Sequence, residues 1–317
     1  MTLKTFTAAM LASSALLGTA LPALAQSAGS VSLVLGVSGS PFYQALQCGA
    51  MARAEELNLD LSVSAGDQFA ADSQIPVVNA VTAAGPDVAA IVPTDMQALV
   101  QPMREMADRG TRVITVDQTV ADNSFVETEI LTDNEEGGRM AAEVMAEILG
   151  GEGKVLVITQ PPGSLAQDAR TAGFEAQIES YDGIEYIGAQ YQSDDPQKAA
   201  EIVTSTLSAH PDLAGIFSTN DQGAIGAITG LRQAGAVGRV KMVAYDAASA
   251  EVAALKNGAI QALIAQNPRQ EGEVAMDAAL ALINGETLEK TIMTELVVIR
   301  EDQAELADEY EYIANCM

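Results

Sequence analysis

The sequence predicts an α/β protein of two doubly wound parallel-sheet lobes joined by a multi-strand hinge. Three observations carry that prediction. From Val31 onward, short strand-like apolar runs alternate with amphipathic helical patterns, the rhythm of strand–helix–strand crossovers. The rhythm begins again after a β-rich stretch at residues 125–134. Several apolar runs also end alike, in Asp117-Gln118, Asn220-Asp221 and Tyr245-Asp246. Residues just past the carboxyl ends of parallel strands face the ligand crevice.

Taken in order, VSLVLGV at 31–37 reads as the first strand, and residues 41–58 as a helix with Leu46, Ala50, Ala54 and Leu57 at helical spacing. Strands follow at 59–66, 87–95 and 112–119, separated by helices over 73–84 and 97–109, the latter stopped by Gly110. Residues 125–134 are β-rich without a long helix of their own and read as a crossing. A helix over 135–149 then ends at Gly150-Gly151. The second lobe takes strands at 154–160, 184–192, 213–221 and 240–247, with helices over 166–180, 196–209, 222–234 and 249–256. A run at 260–267 leads to a helix over 270–284. IMTELVVI at 292–299 reads as one strand before a charged helical tail. No Pro/Gly/Ser-rich tether divides the halves, so several strands are expected to join them. The expected N-terminal lobe is 27–132 plus 267–292, and the C-terminal lobe 133–266 plus 293–317.

The first residues read as an export signal, residues 1–25: Lys4, an uncharged apolar run over 7–20, and the small-x-small site Ala23-Leu24-Ala25 before Gln26. The expected mature protein is exported, soluble and periplasmic. Its roughly 290 residues are enough for two ordinary cores. Aspartate and glutamate outnumber lysine and arginine 43 to 16, for a formal charge of −27, which argues against nucleic acid or an anionic membrane as partner. The two cysteines, Cys48 and Cys316, suit an oxidising compartment, and both a bridge and two free thiols stay open.

Catalytic and cofactor signatures are missing. Gly150-Gly151-Glu152-Gly153-Lys154 lacks the Ser/Thr and first glycine of a phosphate loop. Gly36-Val37-Ser38-Gly39-Ser40 is out of register for a nucleophile elbow, and no dinucleotide fingerprint follows the first strand. The sole histidine, His210, sits at a helix exit before Pro211, which suits a surface better than a metal. Neither a metal nor a cofactor is expected.

Hydrogen-bonding or stacking side chains do occupy the strand ends. Phe42 and Tyr43 follow the first strand, Asp117-Gln118 the fourth, and Gln266 closes the 260–267 run. Carboxylates and amides bind hydroxyls in fixed directions, and an aromatic ring covers the apolar face of a sugar. The set points to a polyhydroxylated ligand. For each residue alone a plainer role competes: Asn220 or Asp221 as a helix cap, Phe42 and Tyr43 as core.

In this order Pro41-Phe42-Tyr43, VPTD at 92–95, VITVD at 113–117, Thr132-Asp133-Asn134 with Gly137-Gly138, residues 170–174, His210-Pro211-Asp212, Asn220-Asp221, Tyr245-Asp246 and Ala265-Gln266 resemble the ribose/galactose-type periplasmic solute-binding proteins of ABC importers. That family has the periplasmic binding protein-like I fold and shares it with the ligand domains of LacI-type repressors. The resemblance spans nearly all of the mature chain. It implies sugar contacts for Phe42, Tyr43, Asp117, Asn220, Asp246 and Gln266. Departures bear on the ligand. Gln118 stands where ribose-binding relatives have arginine, Asp168 where they have a sugar-binding arginine two residues before the one matching Arg170, and Asp194 where they have a stacking aromatic. The expected pocket is more acidic than a ribose site, which argues against ribose.

The implied function is capture of a sugar or polyol for the membrane subunits of an ABC permease, by a monomer that closes at its hinge, with a cationic amino sugar as the alternative ligand. Of two other classes, a carbohydrate-acting enzyme stays in contention. A repressor is excluded because the export signal occupies the place of a DNA-binding domain. The acidic tail is expected to fold back over the lobes and join Cys316 to Cys48.

Overall fold

The computed structural model describes residues 1–2, 27–312 and 316, so nearly all of the expected export signal lies outside the described residues. Two six-stranded sheets form the frame. Sheet A holds β1 (Ser30–Leu35), β2 (Asp60–Ala65), β3 (Val88–Ile91), β4 (Arg112–Val116), β5 (Val126–Leu131) and β11 (Thr291–Met293), in the order β11-β5-β4-β3-β1-β2. Sheet B holds β6 (Gly153–Thr159), β7 (Ile184–Tyr191), β8 (Leu213–Ser218), β9 (Lys241–Tyr245), β10 (Ala262–Gln266) and β12 (Leu296–Arg300), in the order β12-β10-β9-β8-β6-β7. Every pairing is parallel except β12 on β10.

Helices cover both faces of each sheet, which is why central strands such as VAAI of β3 are buried at every position while the edge strand β2 alternates. Helices α1 (Pro41–Glu56), α2 (Ala71–Ala84), α3 (Val100–Asp108) and α9 (Pro268–Ile283) flank sheet A. Helices α4 (Asn134–Leu149), α5 (Leu165–Ile178), α6 (Pro196–Ala209), α7 (Asp221–Gln233), α8 (Ser249–Lys256) and α10 (Ala304–Tyr310) belong with sheet B.

Glycines let the site-bearing helices meet backbone to backbone. A Cβ on Gly138 of α4 would lie 2.0 Å from the Arg170 carbonyl of α5, and one on Gly49 of α1 would lie 2.0 Å from the Arg269 carbonyl of α9.

The chain passes between the sheets at three places, after β5, after β10 and between β11 and β12. Two of these passages run straight into capped helices. Asp133 accepts from the Glu136 N–H at the start of α4, and Asn267 accepts from the Gln270 N–H at the start of α9, each ahead of a well-formed first turn. One buried carboxylate ties all three passages together. Glu271 Oε1 accepts from Thr132 Oγ1 at 3.0 Å and from Thr294 Oγ1 at 3.3 Å, and burial, then the neighbouring Asp117, push its carboxyl well above the usual range.

Two readings of the sequence are corrected. Residues 125–134 are not only a crossing, since 126–131 form a full strand of sheet A. The run at 292–299 is not one strand but two, β11 in sheet A and β12 in sheet B, broken at Thr294-Glu295. An uninterrupted β-prone run carries no mark of a change of sheet.

The disulfide is formed. Cys48 in α1 and Cys316 are bonded across a separation of 268 residues, which closes the tail onto the first helix of the other lobe.

Candidate functional site

A cavity of about 260 Å³ lies between the carboxyl ends of the two sheets. Its two walls are built alike. Asp117 immediately follows β4 and Asp246 immediately follows β9, both in the left-handed backbone region, with φ of 62° and 89°. Each donates its N–H to the carbonyl of an isoleucine on the next strand, Ile130 and Ile264 respectively, at 2.9 Å in both. A non-glycine residue held there costs about 1–3 kcal/mol, a strain that clusters where function fixes a side chain. The result is a pair of carboxylates, 5% and 4% exposed, facing one cavity from opposite lobes.

The first wall adds aromatic rings. Pro41 opens α1 and places Phe42 and Tyr43 in its first turn, with their rings edge to face. Phe69, from the loop after β2, stacks parallel to Tyr43 at 6.3 Å. Tyr43 donates its hydroxyl to Asp117 Oδ2 at 3.0 Å. Burial pushes the Asp117 carboxyl up to about 6, against the pull of Arg170 and the Tyr43 hydroxyl. Gln118 lines the cavity as well, and its Oε1 accepts from the Ala166 N–H of α5 at 3.3 Å, a bond from lobe to lobe.

The second wall is polar. Asn220 caps α7 through the Gly223 N–H, and from the same position it donates Nδ2 to Asp194 Oδ1 at 2.9 Å. Cap and cavity wall are thus one residue. Asp194 also accepts from Gln160 Nε2 at 3.1 Å, and burial raises its pKa. Asp221 is pushed up to about 7 by burial and then by Asp246 and Asp194. Asp246 is gripped by three donors: Gln266 Nε2 at 2.7 Å and Tyr312 Oη at 2.9 Å on Oδ1, and the Asp221 N–H at 3.2 Å on Oδ2. Arg170 is the cation of the wall. It is held by Asn134 Oδ1 and the Thr219 carbonyl, both at 2.8 Å, and lies 3.7 Å over the Tyr245 ring.

Two buried polar atoms of the cavity wall, Gln266 Oε1 and Ser164 Oγ, have no hydrogen-bond partner among the described residues. Buried polar atoms are almost always paired, so the wall is made for a partner with hydrogen-bonding groups of its own. Carboxylates in excess, amides, one guanidinium and flat rings can hold hydroxyls on edges and an apolar ring face, without a nucleophile paired to a base.

Phe42, Tyr43, Asp117, Gln118, Arg170, Asp194, Asn220, Asp246 and Gln266 therefore share one cavity. Asp168 does not. Its Oδ2 accepts from the Gly163 N–H at 3.0 Å, closing the loop that enters α5. Gln167 and Arg170, three residues apart, take the cavity face, and Asp168 is turned about 100° from Gln167 around the helix axis. Sequence reasoning missed Phe69, Gln160 and Gln167. The rule of strand ends would have found the first two, which follow β2 and β6, and helical spacing from Arg170 the third.

Among the described residues no helix is long and apolar enough to cross a membrane, and no cluster of His, Cys, Asp and Glu is arranged to hold a metal. The chain is 29% identical over 291 residues to the ribose import binding protein of Haemophilus influenzae, covering 92% of this chain and 98% of that one. A solved ABC transporter solute-binding protein of Agrobacterium vitis, bound with α-D-tagatopyranose, matches with a TM-score of 0.87 and 32% identity over 90% of this chain and 99% of its own. A second from the same species, with bound D-fucose, matches at 0.85 and 26% over 90% and 100%. The periplasmic binding protein domain matches residues 31–287, and the chain belongs to that family.

Proposed function

We propose that this protein is the solute-binding component of an ABC importer and that its ligand is a neutral sugar or polyol held between the lobes. The observation that carries the reading is the mirrored pair Asp117 and Asp246, which face one cavity whose wall also holds the unpartnered Gln266 Oε1. Similar proteins with bound tagatose and fucose support the ligand class. The ligand contacts both lobes, so it binds the closed arrangement better and shifts the population toward it. The closed shape is what the permease reads. The protein works as a periplasmic monomer and releases its ligand unchanged.

The excess of four carboxylates (Asp117, Asp194, Asp221, Asp246) over one guanidinium in the wall favours a second reading, a cationic amino sugar. The raised Asp221 weighs against it, since a carboxyl that keeps much of its proton near neutrality donates to a hydroxyl rather than pairing with an ammonium. Titration calorimetry with D-tagatose, D-fucose, D-arabinose, D-allose, D-ribose and D-glucosamine separates the readings. We expect at least one neutral sugar to bind at micromolar Kd or below, with D-ribose weak. Binding of D-glucosamine alone supports the second reading, and binding of none defeats both.

A further inference from the structure

Tyr312 belongs to neither wall by sequence, lying beyond the last strand. It is nonetheless 3% exposed and touches both lobes at the site. Its hydroxyl donates to Asp246 Oδ1, its ring meets Phe42 edge to face at 5.7 Å and 78°, and its N–H bonds the Ala247 carbonyl at 3.0 Å. One residue thus braces the central carboxylate of one lobe against an aromatic of the other.

Two fastenings hold it there. On its N-terminal side, α10 is pinned to α8 by the ion pair of Asp308 with Lys256. On its C-terminal side, Cys316 is bonded to Cys48 of α1, six residues along the same helix from Phe42. Four residues of chain reach at most about 14 Å, so the bond keeps Tyr312 close to its two contacts.

We infer that Tyr312 is a positioning residue for the sugar site, kept against Asp246 and Phe42 by the Cys48–Cys316 bond. This rests on the reading of the cavity as a sugar site. Asp246 Oδ1 has two donors on it, Gln266 Nε2 and the Tyr312 hydroxyl, so its lone pairs are directed by both. Without the phenol the carboxylate keeps only Gln266 Nε2 and the Asp221 N–H, and a ligand must supply the rest of its orientation. The disulfide acts on affinity through this contact.

The test is a double-mutant cycle between Y312F and the paired replacement C48S/C316S, with D-tagatose and D-arabinose as calorimetric probes. Hydrogen exchange of the ligand-free protein is followed in parallel. Y312F keeps the ring and is expected to weaken sugar binding roughly tenfold, the scale of one hydrogen bond to a charged group. C48S/C316S should weaken binding in the wild-type background and add almost nothing in Y312F, because both act through one contact.

A disulfide that only stabilises the fold weakens binding by the same factor in both backgrounds, and that additivity would overturn the inference, as would wild-type affinity in Y312F. Exchange should rise at residues 42–46 and 246–248 in C48S/C316S. Unchanged exchange there overturns the inference whether or not a sugar binds. If neither probe binds the wild type, that counts against the choice of sugars under the functional reading, and exchange alone then judges Tyr312.

Discussion

The two lobes present the same backbone to the cavity and different side chains. In each, an aspartate just past a strand sits in the left-handed region with its N–H on an isoleucine carbonyl of the next strand. Around Asp117 the wall is aromatic, with Phe42, Tyr43 and Phe69, and one phenol on the carboxylate. Around Asp246 it is polar, with Asp194, Asn220 and Asp221, and three donors on the carboxylate. The repeated backbone device delivers a carboxylate from each side, and the neighbours decide its use. One lobe offers faces to a sugar ring and the other offers edges to its hydroxyls.

The sharpest way to break this comparison is to remove each aspartate in turn. D246A should weaken sugar binding at least a hundredfold, about 3 kcal/mol, because it also strands three donors, and D117A should cost only about a tenth as much affinity. Equal losses by calorimetry would mean that the two lobes hold the ligand alike.

Acidity separates the lobes next. Asp117 and Asp221 have folded-state pKa values raised to about 6 and about 7, above their ordinary 3.8. Between those limits the folded protein binds more protons than the unfolded chain, so stability falls as pH rises. The ligand-free protein should therefore gain about 4 kcal/mol between pH 8 and pH 5 in urea melts. D221N should remove about two-thirds of that gain, beginning near pH 7, and D117N the remaining third, which develops only below about pH 6. A stability that climbs toward pH 8 contradicts the assignment.

Smaller effects sharpen the contrast. F69A should weaken every sugar by a similar factor, roughly threefold to tenfold, since a ring face recognises shape and not individual hydroxyls. Selectivity should move instead on changing Gln266, whose Oε1 is unpartnered. D168N should leave affinity within about twofold, because Asp168 only closes the loop before α5. A large loss there would return Asp168 to the site.

Much of the fold was legible because alternation of strand and helix is a local property. Residues 196–209 and 249–256 are helices with the bounds that Pro196 and the Ser249 start suggest. What the sequence hid was membership. Nothing in IMTELVVI marks Thr294-Glu295 as the point where the chain leaves one sheet for another, because pairing partners lie far away in sequence.

The site divides in the same manner. Asp117, Asn220, Asp246 and Gln266 were readable because strand ends face the crevice. Phe69 was passed over in a loop, although it obeys the same rule. Asp168 was misplaced by matching positions along the chain without following the turn of the helix. Tyr312 had no local signal at all, since tail packing and a bond between residues 268 apart bring it to Asp246.

The most direct test is a crystal structure with the neutral sugar that binds most tightly in the calorimetric panel. We expect one sugar in the cavity, with its hydroxyls within hydrogen-bond distance of both Asp117 and Asp246 and an aromatic ring of the first wall against its face. A sugar bound to one lobe alone, or outside this cavity, would contradict this reading.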